Sequence, residues 1–276
     1  MPFADLHSFV SELERTGQLR RVRVPVDPVL EVSELIQRVV REQGPALLFE
    51  QPLGSSVPLV MNLFGTMQRV ELALGRHPQA IGAELVETLQ RLNPPSFASL
   101  WGARRFVARA RHMRPRLVGR GPSQELVQQP PKLTELPHLQ CWPRDGGRFV
   151  TFGPTITEDP HSHRRNYGLY RLQIFDEATT GMHWQSMKGG RGHHWEAERR
   201  GEALPVAVVL GGDPIMMLAA ILPLPEDVDE LAFAGFLRGA PTRLVKGRTI
   251  PIAVPADADI IIEGVVPPVE RRMEGP

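Results

Sequence analysis

The sequence predicts a mixed α/β (α+β) protein in two parts, residues 1–120 and 121–276, and three observations carry this. Roughly the first hundred residues alternate helical and strand periodicities, the mark of an α/β unit. From Arg148 the period becomes that of strands, so a sheet or barrel begins there, with helices inserted later. The 276 residues, 42% hydrophobic and 23% charged, match globular composition and supply a sizeable core.

Element by element, Leu6, Phe9, Val10 and Leu13 fall on one helical face stopped at Gly17, and Val22 and Val24 then alternate with Arg21 and Arg23 as in a half-buried strand. Leu35, Val39 and Val40 mark a second helix ended by Gly44, followed by strands over Ala46–Phe49 and Val57–Leu63. Helical spacing returns in Val70, Leu72 and Leu74 and in Ile81, Leu85, Leu89 and Leu92, until Pro94 and Pro95 break it. Residues 97–120 read as one helix with a basic side, including Arg104, Arg105, Arg109 and Arg116. A solvated or subunit-facing stripe is the ordinary meaning of such a side, and no nucleic-acid recognition motif accompanies it. The proline-rich stretch 121–143 is expected to be a linker.

Beyond it, Phe149–Ile156, Tyr167–Phe175 and Met182–Met187 are strand candidates, the last two joined as a hairpin through the turn Asp176–Gly181. Further strands are expected at Val206–Leu210, Thr242–Val245 and Ile260–Val266, with helices at Pro214–Ile221 and Val228–Leu237.

Lys+Arg 32 against Asp+Glu 31 leaves a net charge of +1, so the whole-molecule field offers no general attraction to nucleic acid or an anionic membrane. One cysteine, Cys141, makes no disulfide framework and reads as an inert thiol beside Trp142. The start of the chain lacks the pattern of a secretory signal, and the most apolar stretch, Pro205–Pro225, is interrupted by Gly211, Gly212, Asp213 and Pro214. A cytoplasmic protein that is not integral to a membrane is expected.

Neither usual phosphate cradle, G-x-x-x-x-G-K-[ST] or a strand-borne G-x-G-x-x-G, is present. Asp213–Pro214 looks like ordinary helix capping. His161, His163, His183, His193 and His194 show no metal-ligand spacing and are expected to be exposed or satisfied in the core. Arg171, inside the apolar run Asn166–Gln173, requires an anionic partner if buried. Glu230 and Glu274 are candidates, and spacing does not choose between them.

The ordered segments GRFVTFGPTITEDP, NYGLYRLQIFDEATTGMHWQ, PVAVVLGGDPIMMLAAILPLPEDVDELAFAGFLRG and VPADADIIIEGVVPP, closing on MEGP, resemble the UbiD family of reversible decarboxylases. The resemblance implies an N-terminal α/β domain, residues 1–120, followed by a flavin-reductase-like split β-barrel, residues 121–276, that binds prenylated FMN. Family members continue into a C-terminal α/β oligomerisation domain. Here the sequence stops inside the family's E-G-P-[FY]-G-[ED] motif, with Glu274, Gly275 and Pro276 but without the second acid.

Carried over by position, Arg171 matches the catalytic arginine and Glu274 the first catalytic acid. Thr151, Gly168 and Arg171 fall where the family contacts the flavin. Asn166 and Glu230 match two ligands of the divalent cation, manganese or magnesium, that bridges to the flavin phosphate. The third ligand, a histidine, is replaced by Met187, and His183 or His193 could take its place only if the loop shifts. The backbone around Ala219, Ala220 and Leu222 matches a monovalent-cation site for potassium.

The resemblance implies decarboxylation of an aromatic or α,β-unsaturated carboxylic acid, with quinone biosynthesis as one setting. It also implies a flavin prenyltransferase to supply the cofactor and a homo-oligomer or a separate C-terminal subunit. The alternative is a non-catalytic flavin-binding or assembly subunit of a split enzyme. With Gly275 and Pro276 offering no apolar side chain to dock, Glu274 is expected on a frayed end with its carboxylate in solvent.

Overall fold

The computed structural model describes residues 3–93, 96–225 and 227–275. The helix-breaking Pro94 and Pro95 and the terminal Pro276 lie outside the described residues. The mixed α/β class is the one observed.

In the N-terminal part, α1 (Leu6–Arg15) starts at Asp5, whose carboxylate accepts from Ser8 N at 2.7 Å, and buries Phe9, Val10 and Leu13. Strand β1 (Leu19–Val22) pairs in parallel with β2 (Ala46–Phe49) across α2 (Glu31–Arg41), and β3 (Leu59–Met61) closes the sheet antiparallel to β2. The first strand is shorter than its alternation suggests: it ends at Val22, and Val24 is exposed. Likewise, only Leu59–Met61 of Val57–Leu63 pairs, because only that stretch has a neighbour in β2.

After α3 (Met67–Leu74), α4 (Pro78–Arg91) forms as its spacing requires, yet none of its residues is buried. Periodicity identifies the helix but does not supply a cover for the stripe around Leu89. The single helix expected over 97–120 is absent. The segment instead contains α5 (Phe97–Gly102), α6 (Arg104–Ala110), a one-turn 3₁₀ helix at Arg111–Met113 and β4 (Arg116–Leu117). Pro115 ends the helical run: the residue before it, Arg114, is extended, and Arg116 and Leu117 then pair in parallel with Arg243 and Leu244.

The C-terminal part is built on β5 (Phe149–Glu158), β6 (Arg165–Ile174), β7 (Thr180–Met182), α7 (Gly189–Arg200), β8 (Leu204–Leu210), α8 (Pro214–Ala219), α9 (Glu230–Arg238), β9 (Arg243–Lys246), β10 (Ala253–Pro255) and β11 (Ile260–Val266). Five strands form a curled antiparallel sheet in the order β11-β8-β5-β6-β7, and β10-β9-β4 form a second sheet. Alternation along β8 shows how the faces are used. Ala207 and Val209 join Ile156 and Tyr167 against α8 and α9, whereas Leu204 and Val206 meet Ala197 of α7. Met217 and Leu218 of α8 also pack with Phe9 and Leu13, so this helix links both cores.

One expectation fails here: the strand over Met182–Met187 stops at Met182, and residues 189–200, to which periodicity assigns no element, form α7. Trp184 turns inward, edge-on to Tyr170 and stacked on His194, which fixes α7 against the sheet. No helix among the described residues is long and apolar enough to cross a membrane.

The 121–143 segment contains a buried titratable group, His138, whose Nε2 has no partner among the described residues. Burial, reinforced by nearby Arg148 and opposed by a hydrogen bond to the Leu133 backbone, holds its imidazole down at about 4. The unfolded chain therefore binds a proton near the ordinary value of about 6.5 that the folded chain refuses. Stability from this group is complete above the unfolded value and is lost as pH falls through the window down to about 4, by about 3 kcal/mol. Urea unfolding of wild type and His138→Leu at a series of pH values should show the difference narrowing by that amount on acidification. A constant difference would contradict it.

Candidate active site

Strand pairing brings Arg171 of β6 beside His183, the first residue after β7, whose backbone N–H donates to Arg171 O at 3.0 Å. Both side chains converge on Glu274. Arg171 Nε donates to Oε1 at 2.9 Å, and His183 Nδ1 lies 2.7 Å from Oε2. The Arg171 guanidinium also lies over the Phe149 ring, 5.0 Å from its centroid. Among the described residues its two terminal nitrogens have no acceptor.

Glu274 is therefore held in place, contrary to the frayed end expected from its apolar-poor neighbours. The anchor is polar: Gly275 N donates to Gln173 Oε1 at 2.9 Å, while Gln173 Nε2 donates to Gly146 O at 2.7 Å. Gly146 and Gly275 pass so closely that a Cβ on Gly146 would stand 2.6 Å from Gly275 Cα. The Glu274 side chain is only 18% exposed, against 47% for Arg171 and 46% for His183. Arg171 is thus a half-exposed arginine rather than a buried one, and its carboxylate partner is Glu274 rather than Glu230.

Glu230 opens α9, where Asp229 caps the helix by accepting from Leu231 N at 2.8 Å. Its Oε2 accepts from Tyr167 N at 2.9 Å, which sets it beside Asn166 on β6. Burial pushes the Glu230 carboxyl above its ordinary range, with the Tyr167 amide acting in the opposite sense. Asn166 Oδ1 accepts from the Tyr170 hydroxyl at 3.3 Å, and Tyr170 Oη accepts from Gly190 N at 2.7 Å. Burial raises the Tyr170 phenol to about 12, so it remains a donor. Gly189 lies against Asn166 Oδ1 so tightly that a side chain there would collide with it.

Asn166 Nδ2 is buried without a partner among the described residues, and an orphaned amide donor suits an anionic oxygen such as a phosphate. A divalent cation fits less well. Asn166 and Glu230 supply two hard oxygens, but Met187 is 95% exposed and its thioether is a poor ligand for manganese or magnesium. Among the described residues no group of three His, Cys, Asp or Glu is disposed to hold a metal. His193 cannot substitute readily: it is buried with Nδ1 2.8 Å from Thr157 Oγ1, and burial lowers its pKa.

Thr151 is exposed on β5 at a bulge between Val150 and Gly153, and Gly168 is buried on β6 beside Asn166 and Tyr170. Ala219 and Ala220 are buried at the end of α8, while Leu222 lies just beyond it. The structure brings Arg171 to Glu274, and Glu230 to the backbone of Tyr167, the residue after Asn166. His183, Gln173 and Tyr170 complete these clusters, and nothing in their local sequence marks them as members.

The family model described as "3-octaprenyl-4-hydroxybenzoate carboxy-lyase Rift-related domain" (UbiD) matches residues 116–276, and the corresponding N-terminal domain model (UbiD_N) matches residues 10–89. An uncharacterized protein of Aquifex aeolicus is 42% identical over 279 residues, covering 99% of this chain and 57% of that protein. One from Archaeoglobus fulgidus is 42% identical over 278 residues, covering 100% and 57%. The chain thus spans about 57% of the length of these relatives. Among solved structures, the UbiD-class enzyme HmfF from Pelotomaculum thermopropionicum in complex with FMN matches with a TM-score of 0.82 at 29% identity, over 99% of this chain and 57% of that one. Vanillic acid decarboxylase from Sedimentibacter hydroxybenzoicus, in its closed form, matches with a TM-score of 0.84 at 26% identity, over 100% and 57%. With one family model spanning more than half of its residues, and the sheet that carries Arg171 and Asn166 among them, the chain belongs to the UbiD family.

Proposed function

We propose that this chain forms the flavin-binding and acid–base part of a decarboxylase acting on an aromatic or α,β-unsaturated carboxylic acid, with prenylated FMN as cofactor. One observation carries the reading: a guanidinium whose two terminal nitrogens have no acceptor among the described residues is held beside a carboxyl group at the sheet. Its fork suits the substrate carboxylate, and Glu274 is positioned to deliver the proton that replaces carbon dioxide. Prenylated FMN, when bound, supplies the electron sink. The buried amide of Asn166 would meet the flavin phosphate, with Thr151 and Gly168 along the same strands.

The similar structures support the substrate class, since one is a vanillic acid decarboxylase and another was solved with FMN. The family description supports a quinone-pathway acid as one substrate. On this reading the protein works in the cytoplasm, relies on a flavin prenyltransferase, and carries potassium near Ala219, Ala220 and Leu222. The two-part division at 1–120 and 121–276 belongs to the same proposal, with the pairing of β4 with β9 setting Arg116 and Leu117 on the C-terminal side of the boundary. A homo-oligomer or a separate subunit would cover the sheet rim. A related structure described as an evolved dimeric form supports the first, and a decarboxylase with a second chain supports the other. The exposed Met187 favours the second reading, a flavin-binding subunit whose chemistry is completed elsewhere.

Flavin fluorescence titration tests the cofactor site. The wild-type chain should bind prenylated FMN with little dependence on manganese, whereas Met187→His should add a metal-dependent gain of about tenfold by restoring a third ligand. Strong manganese dependence in the wild type would show that the cation is completed by residues other than these.

A further inference from the structure

Glu274 is held by two groups, and only one of them can exchange a proton. Arginine stays charged throughout the working pH range, whereas imidazole gains and loses a proton readily near neutrality. His183 Nδ1 lies 2.7 Å from Glu274 Oε2, and its ring is half exposed while Glu274 is largely covered. The exposed imidazole therefore lies between solvent and the carboxyl group. The backbone bond from His183 N to Arg171 O fixes the two holders side by side, so each keeps one carboxylate oxygen.

We infer that His183 is the positioning residue for Glu274 and the group that restores its proton after each turnover. The inference rests on the reading of Glu274 as proton donor. In the balanced cycle, the substrate carboxylate loses carbon dioxide and the carbon keeps the electron pair of the broken bond. That carbon takes the proton of Glu274, Glu274 takes the Nδ1 proton of protonated His183, and His183 takes one from solvent. The sum is one carboxylate and one solvent proton consumed for one C–H bond formed and one carbon dioxide released. Arg171 and Glu274 are the charged groups in contact with His183, and Arg171 holds the carboxylate in place while the proton passes.

The first test needs no cofactor. In the full chain carrying ¹⁵N-labelled histidine, nitrogen shifts at a pH where imidazole is neutral report which ring nitrogen carries hydrogen. Wild-type His183 should hold it on Nδ1, and Glu274→Ala should return it to Nε2, the form preferred by free imidazole. A wild-type ring protonated on Nε2, or no change in Glu274→Ala, overturns the inference.

The second test uses the flavin-loaded enzyme. His183→Ala should lower kcat about a hundredfold with KM changed less than about twofold, and added imidazole should recover about tenfold of the loss. His183→Gln can still donate to Oε2 but cannot relay a proton, so it should remain slow. Wild-type turnover in His183→Gln, or no rescue by imidazole, overturns the proton-restoring role. If Glu274→Gln keeps full activity, the reading of Glu274 as donor fails, while the tautomer result stands or falls separately.

Discussion

Arg171→Ala is expected to reduce carbon dioxide release at least a hundredfold while leaving the protein folded and still able to bind flavin. The stability side follows from exposure: Arg171 is 47% exposed, and an ion pair so open to water contributes about 0–1 kcal/mol. The activity side follows from geometry. Without Arg171 the Glu274 Oε1 loses its donor at 2.9 Å, and the two terminal nitrogens that suit a substrate carboxylate disappear. Misplacement by about 1 Å, or loss of one preorganised charged donor, costs roughly a hundredfold to a thousandfold in rate. Arg171→Lys should recover little, because a point charge does not reproduce a planar fork. Steady-state carbon dioxide assays with thermal unfolding of the same preparations check both halves. A variant that is inactive because it is unfolded, or folded and fully active, would contradict the assignment.

Asp213→Ala should give the largest loss of stability in the C-terminal part. Asp213 is buried, caps α8 by accepting from Ile215 N and Met216 N at 3.0 Å each, and accepts from Arg238 Nη1 at 2.8 Å. Burial raises its carboxyl pKa, with Arg238 and the two amides acting in the opposite sense. Arg238 also donates to Thr242 Oγ1 at 2.7 Å, which ties the end of α9 to the start of β9. Removing the carboxylate leaves a nearly buried guanidinium without its counter-charge, a loss of about 3–5 kcal/mol. Because α9 also carries Glu230, flavin affinity should fall with stability. Asp213→Ala/Arg238→Met, which removes both charges, should recover most of the loss in a denaturant titration. If the double variant is no more stable than Asp213→Ala, the unpaired charge is not the cause.

The sequence announced its helices and central strands where a local pattern and a tertiary partner agreed. The Phe9, Val10 and Leu13 face and the strands β5 and β6 are examples. It misled where a distant partner overrode the pattern. Arg116 and Leu117 looked helical but pair with β9, and Ala253–Pro255 became a strand because β9 lies beside it. The α7 helix was hidden by Gly189, Gly190 and Gly192, which depress helix propensity, and it is held by Trp184, Tyr170 and His194 packing.

The site was legible as separate residues and not as an assembly. Arg171 and Glu274 stand out by motif, yet they lie 103 positions apart and only the fold joins them. His183 reads as an ordinary strand histidine until its position opposite Arg171 is known. The docking of Glu274 escaped a hydrophobic criterion because a glutamine and a glycine contact hold that segment.

The most direct measurement is ¹³C-labelled carbon dioxide release from carboxyl-labelled aromatic acids by the chain loaded with prenylated FMN, assayed alone and with the uncovered portion of a relative supplied as a second polypeptide. The assay compares wild type with Glu274→Gln, which keeps the shape of the side chain but removes the proton to be delivered. The account expects release from the wild type in at least one of the two settings, and a loss of at least about a hundredfold in Glu274→Gln with flavin binding unchanged. Equal release by the two proteins, or none from the wild type in either setting, would contradict it.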